Sequence, residues 1–319
     1  MEKALGKKNY SAPPDTDPLE LSVPADCAGL RLDQVLARLL PEHSRSRLTQ
    51  WVRESRVAVD GRSVLPKAKL WGGEHLRISP ASSRESLAHL PQAIPLAVVY
   101  EDEAIIVIDK PAGLVVHPGS GNWDGTLLNA LLQHAPGVAE VPRAGIVHRL
   151  DKDTSGLLVV AKTLTAQTHL VRQLQARTVE REYTAIACGR IESGGKIEAP
   201  IGRHPVSRTR MAVVARGKPA VTHYTVLARY ADATLVQCRL ETGRTHQIRV
   251  HLASIGHPLL GDPVYGGRSR RGPPGAFHRQ ALHARRLGLI HPVSGRAMRW
   301  ESPLPADMRE LIAALETAA

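Results

Sequence analysis

Residues 147–161 read VHRLDKDTSGLLVVA: a crowded polar run that passes directly into five apolar residues. His148, Arg149, Asp151, Lys152, Asp153, Thr154 and Ser155 fill the polar half. Leu157, Leu158, Val159, Val160 and Ala161 form a short apolar run of the kind that makes a buried strand. Polar side chains on a turn beside such a strand are held by rigid scaffold yet stay open to a ligand. The same Asp-Thr-Ser-Gly residues also suit an ordinary self-capping turn. On composition alone, both readings of the turn stand.

Outward from this run the pattern is mostly strands. Candidates lie at 98–100, 105–109, 145–150, 157–162, 181–188, 222–230, 234–240, 281–290 and 297–301. Helical spacing falls at 165–177, 244–254 and 306–315. Long antiparallel-looking strands broken by few helices predict an α+β fold, mostly antiparallel sheet, rather than a doubly wound one. In front lies a small α/β module. Residues 30–40 (LRLDQVLARLL) carry a helical apolar stripe that stops at Pro41, and Ser44 is placed to cap a second helix. Residues 56–64 alternate around Asp60-Gly61, a hairpin signal, and 75–78 make another short strand. The expected organisation is a tail over 1–20, the module over 21–80, a linker over 81–95 and a large domain over 96–319. The first residues, MEKALGKKNYSAPPDTDP, lack the apolar stretch of a signal peptide and read as a mobile cytoplasmic tail. The basic stretch GGRSRRGPPG (266–275) reads as a flexible loop.

The chain has 319 residues, 42 Lys+Arg against 30 Asp+Glu, and a formal charge of +12. Arginine outnumbers lysine 32 to 10. Guanidinium forks grip phosphates bidentately, so the balance favours a nucleic-acid partner, with coding bias as the plain alternative. Aromatics are only 3% of residues, too few for a platform that binds single strands by serial stacking. No apolar run approaches the ~20 residues of a membrane span. Cys27, Cys188 and Cys238 are odd in number and widely spaced, which argues against a disulfide framework or a zinc cluster. His246 and His251 are five apart with no glutamate after the first, unlike a zinc-protease helix. GSGNWDG (119–125) lacks the Lys-Ser/Thr of a phosphate loop, and no dinucleotide fingerprint follows a strand. No cofactor is expected, metal or nucleotide.

The run HRLDKDTSGL (148–157) resembles the signature loop of the large-subunit-type pseudouridine synthases. DKPAGLVVHP (109–118) and VPRAGIV (141–147) precede it; REY (181–183), GRTHQIRVH (243–251) and GDPVYG (261–266) follow it in the family's order. Asp109 stands where the family often has Asn. The front module, with RLD (31–33), SRSR (44–47) and VDG (59–61), resembles the RNA-binding domain named after ribosomal protein S4.

The resemblance implies isomerisation of uridine to pseudouridine: the glycosidic bond breaks, the base turns, and it rejoins through carbon. Asp151 matches the essential carboxylate, as nucleophile or as base at the sugar. Arg244 is matched to that aspartate's cationic partner, and Tyr183 to the aromatic that stacks on the target base and helps deprotonate it. Arg149 matches the residue that fills the place of the flipped base. His148 and Leu282 are further candidates for contact with the substrate, Leu282 as an apolar floor. Arg31, Arg45, Arg47 and Arg53 are expected to meet RNA phosphates. The implied partner is 23S ribosomal RNA, free or within the large subunit or its precursor, with the stem-loop called helix 69 as target. Alternatives are the same chemistry at another ribosomal or transfer RNA site, a non-catalytic ribosome-assembly factor, and a nuclease using His246 and His251.

Overall fold

The computed structural model describes residues 18–80, 86–119, 121–266 and 277–317. Most of the expected tail, part of the linker and the basic loop at 267–275 lie outside them. The chain divides into two units, Met1–Ser86 and Leu87–Ala319.

The first unit runs β1 (Leu19–Ser22), α1 (Leu32–Leu39), α2 (Arg45–Arg53), β2 (Val57–Val59), β3 (Arg62–Ser63) and β4 (His75–Ile78). β1 begins inside the span expected to be tail, where LELS pairs antiparallel with β4. The four strands lie in the order β1-β4-β2-β3. Leu32, Val35 and Leu36 put the apolar stripe of α1 against Leu48, Trp51 and Val52 of α2, over Val57, Leu76 and Ile78. Ser44 caps α2 by accepting the Arg47 amide at 3.4 Å. Asp60 and Gly61 sit at φ 48° and 74°, the left-handed pair that a two-residue hairpin turn requires.

The second unit contains β5 (Val98–Glu101), β6 (Ile105–Lys110), α3 (Leu127–His134), β7 (Ser155–Ala161), α4 (Leu164–Gln175), β8 (Glu180–Cys188) and β9 (Gly195–Glu198). β10 (Ile201–Arg203), β11 (Met211–Val213), β12 (Val221–Arg229), β13 (Ala233–Leu240), α5 (Gln247–Ser254), β14 (Leu282–Ile290), β15 (Ala297–Glu301) and α6 (Ala306–Thr317) complete it. The main sheet is ordered β5-β6-β7-β14-β8-β13-β12-β9, with β15 on β14. β7 and β14 pair in parallel; its other strand pairs are antiparallel. The α+β expectation therefore holds.

Both faces of the sheet are covered. Ile106, Ile108, Leu158 and Val160 pack with Leu127, Leu131, Ile248 and Leu252 of α3 and α5. Their neighbours Ile105, Val107, Leu157 and Val159 pack the other way, with Ala166 and Leu170 of α4. This two-sided burial explains why β7 is apolar without alternation.

Several expectations need correction. Residues 145–150 are not a strand: a tight turn over Pro142–Gly145 leads to one isolated bridge, Ile146 with Val160. The helix expected over 244–254 starts only at Gln247, after His246 in the left-handed region at φ 57°. Helix α3, capped by Thr126, was not foreseen, nor were β9, β10 and β11. The later part of the expected linker is tied to the second unit: the Asn129 amide donates to the Leu90 carbonyl at 2.8 Å, and Gln92 accepts the Gly125 amide at 2.8 Å.

Candidate active site

A cavity of about 290 Å³ opens between the 148–154 loop, β8 and the turn entering α5. Arg143, Arg149, Arg181, Arg244 and Arg249 line it, against one carboxylate, Asp151. Its size is near the lower end of small-molecule sites, roughly 300 Å³, and suits one nucleotide rather than a duplex.

The loop bearing Asp151 is pinned from below. The Lys110 amino group is fully buried and donates to the carbonyls of Pro111, Leu114 and Lys152 at 2.8, 3.0 and 2.9 Å. Burial pulls its pKa down to about 7, opposed by Asp153 and Asp151. The Gly113 amide donates to the same Lys152 carbonyl at 2.9 Å, so the 109–118 block buttresses the loop. Gln280 donates to Thr154 Oγ1 at 3.0 Å and Arg279 to the Asp153 carbonyl at 3.1 Å. At Gly156 (φ 112°) the parallel strand approaches so closely that a Cβ would lie 2.3 Å from the Ala284 carbonyl oxygen.

The cation beside Asp151 is Arg249, not Arg244. Arg249 Nη1 donates to Asp151 Oδ2 at 3.1 Å, while Nε and Nη2 grip the two oxygens of Asp262 at 2.7 and 2.9 Å. Burial works against the Arg249 charge, but Asp262 and Asp151 outweigh it and raise its pKa. Burial would likewise raise the Asp262 pKa; Arg249 and the Val264 and Tyr265 amides reverse that. Arg244 Nε instead donates to the Pro219 carbonyl at 3.1 Å, and its backbone amide to Gln247 at 3.0 Å. The physical reason lies in the start of α5: Arg244 belongs to the turn before it, whereas His246 at its N-cap and Arg249 in its first turn both reach Asp151. His246 Nε2 lies 3.8 Å from Asp151 Oδ1, and its Nδ1 is 2.8 Å from the Tyr265 hydroxyl. Burial lowers the His246 pKa, with Asp151 opposing.

Tyr183 and Leu282 both line the cavity and are buried. Burial raises the Tyr183 pKa, Arg181 lowers it and Asp151 raises it. The phenol is therefore protonated near neutrality and is poorly suited to take a proton. Arg149 is exposed at the cavity. His148 is chiefly structural: its Nε2 accepts the Val159 amide at 3.1 Å, and burial pushes its pKa down to about 3. His251 is fully buried between Thr222 and the Ala199 carbonyl, so it cannot join His246 as the second base of a nuclease.

Arg31, Arg45, Arg47 and Arg53 belong to the first unit. Arg31 and Arg45 both hold Asp33, at 2.9 and 2.7 Å, so their forks are already engaged. Arg47 lies over the Trp51 ring, and Arg53 is exposed on α2. What the sequence reading missed are the roles of Arg249, Asp262, Arg181 and Lys110. All four lie in blocks already singled out, but which partner each meets is a tertiary fact.

The RNA pseudouridylate synthase family model matches residues 104–254, and the S4 domain model residues 30–75. The chain belongs to the RNA pseudouridylate synthase family. It is 58% identical over 322 residues to ribosomal large subunit pseudouridine synthase D of Nitrosomonas europaea, covering 97% of this chain and 93% of that protein. The protein of that name from Pseudomonas aeruginosa is 58% identical over 302 residues, covering 92% and 94%. Among solved structures, human RNA pseudouridylate synthase domain containing 1 aligns with a TM-score of 0.54 and 30% identity, over 67% of this chain and 85% of that one.

Proposed function

We propose that this chain isomerises uridine to pseudouridine in 23S ribosomal RNA, with the helix 69 stem-loop as its target. The observation that carries the reading is a single carboxylate, Asp151, set among five arginines beside the buried Tyr183 ring, in a cavity sized for one nucleotide. The relatives whose names specify the large ribosomal subunit align over nearly the whole chain, and this supports the choice of RNA.

In this mechanism the target uridine leaves its stack and enters the cavity, with Arg149 bracing the place it vacates. Asp151, held by the hydrogen bond from Arg249, acts at the sugar while the N1–C1′ bond breaks. The base turns against Tyr183 and Leu282, and a C5–C1′ bond forms. The C5 proton passes to solvent and N1 takes one from solvent, so the product is an isomer and no water is consumed. Tyr183 serves as a wall for the base rather than as the base catalyst. Arg47 and Arg53 are assigned to RNA phosphates, with Arg31 and Arg45 acting as a pair around Asp33. Among the described residues no helix is long and apolar enough to cross a membrane; the cytoplasm, where ribosomes are assembled, is the proposed location.

The test uses 23S RNA carrying tritium at uridine C5. Tritium should appear in water at a defined site in helix 69 while the RNA keeps its length. Release from another site would move the target, and binding without release would favour an assembly factor.

A further inference from the structure

We infer that Arg181 is the seat for a backbone phosphate next to the target uridine, an anion subsite inside the cavity. Arg181 precedes Tyr183 by two residues on β8, so both side chains project from the same face of the strand. It lines the cavity and is 6% exposed. Among the described residues its charge has no carboxylate partner. Nε has no hydrogen bond, and Nη2 reaches only the Glu241 backbone carbonyl at 3.3 Å. The neighbouring carboxylates are committed elsewhere, Glu180 to Arg299 at 2.5 Å. Glu182 pairs with Arg286 at 3.3 Å, and Glu241 is taken by His223 at 2.6 Å and Arg177 at 3.1 Å.

An arginine does not shed its proton to escape burial. An uncompensated buried guanidinium is costly to the free protein, and a bound anion removes that cost. Uracil carbonyls are neutral and leave the charge uncancelled, whereas every RNA linkage carries one full negative charge. Arg249 is already neutralised by Asp262 and Asp151, Arg143 and Arg149 are exposed and Arg244 is half-exposed, so Arg181 is the buried cavity arginine whose balance requires a ligand.

This inference rests on the RNA reading above, and wild-type binding and tritium release are measured alongside to keep the two apart. The full chain, Arg181→Met and Arg181→Lys are titrated with a helix 69 stem-loop and with versions carrying one methylphosphonate beside the target uridine. Arg181→Met should weaken binding on the order of 10- to 100-fold and lower the salt slope by about 0.7. One methylphosphonate should cost the wild type a similar factor and cost the Met variant nothing further. Without RNA, Arg181→Met should melt at or above the wild-type temperature, because a lone buried charge has gone. Arg181→Lys should recover part of the affinity, and it carries the same double comparison if the Met variant is insoluble. Losses from variant and methylphosphonate that simply add would overturn the inference. So would unchanged affinity in a chain whose wild type binds and isomerises, or a lower melting temperature with unchanged affinity.

Discussion

Replacing Arg249 by Met tests the account of what holds the carboxylate in place. The guanidinium bridges Asp262 by two hydrogen bonds and Asp151 by one. Asp262 is completely buried, and without Arg249 it keeps only the Val264 and Tyr265 amides at 2.8 and 2.9 Å. Removing one partner of a buried pair typically costs about 3–5 kcal/mol. For a unit of this size each kcal/mol lowers the melting temperature by about 2–4 °C, so the expected fall is roughly 6–20 °C. Adding Asp262→Asn to Arg249→Met should return much of the loss, since the stranded charge is then gone. Arg244→Met should change stability by about 0.5 kcal/mol or less, because that side chain is tied only to one carbonyl. Melting followed by circular dichroism, with single-turnover rates on the same samples, provides both readouts. An Arg249→Met protein that melts like the wild type, beside an Arg244→Met protein that does not, would refute the assignment.

Acid should destabilise the second unit through its neutral histidines. Desolvation pushes the pKa values of the half-buried His148 and His117 down to about 3 and about 4. Unfolded histidine takes a proton below about 6.5, so stability is lost as pH falls from there toward 4, by up to about 1.4 kcal/mol per pH unit for each. His148→Gln should reduce that slope while keeping an acceptor for the Val159 amide; an unchanged slope would remove His148 from the account. Gly156→Ala should cost about 1–3 kcal/mol from backbone strain and more from overlap with Ala284, and a melting temperature equal to wild type would contradict the close β7–β14 approach. A chain starting at Leu87 should show a higher KM, a shallower salt dependence and a saturated rate near that of the full protein. An unchanged KM with a collapsed rate would instead give the front unit a role in organising the catalytic one.

The sequence made the fold class legible because periodicity is local. The stripe of α1, the Asp60-Gly61 turn and the apolar run of β7 each announce themselves within a few residues. α3 was missed because LLNALLQH is buried nearly all round and shows no polar face. β10 and β11 are three residues each, too short for a period to register. At the site, Asp151 and Tyr183 were found because their blocks are distinctive. Arg249 was passed over for Arg244 because choosing between them requires knowing where α5 begins, and His246 conceals that start by adopting a left-handed conformation. The 109–118 block was recognisable as a pattern, but its work, Lys110 fastening the loop from 42 residues away, is visible only in three dimensions.

The central claim is that the charge on Asp151 performs the isomerisation. Asp151→Asn is nearly isosteric, and its amide oxygen can still accept from Arg249. The decisive measurement is therefore the single-turnover rate of Asp151→Asn on C5-tritiated stem-loop RNA, at enzyme concentrations far above a separately measured Kd. The account predicts a Kd within a few-fold of wild type and a rate lower by at least 10²- to 10⁴-fold. A saturated rate within a few-fold of wild type would contradict it and remove Asp151 from the chemistry.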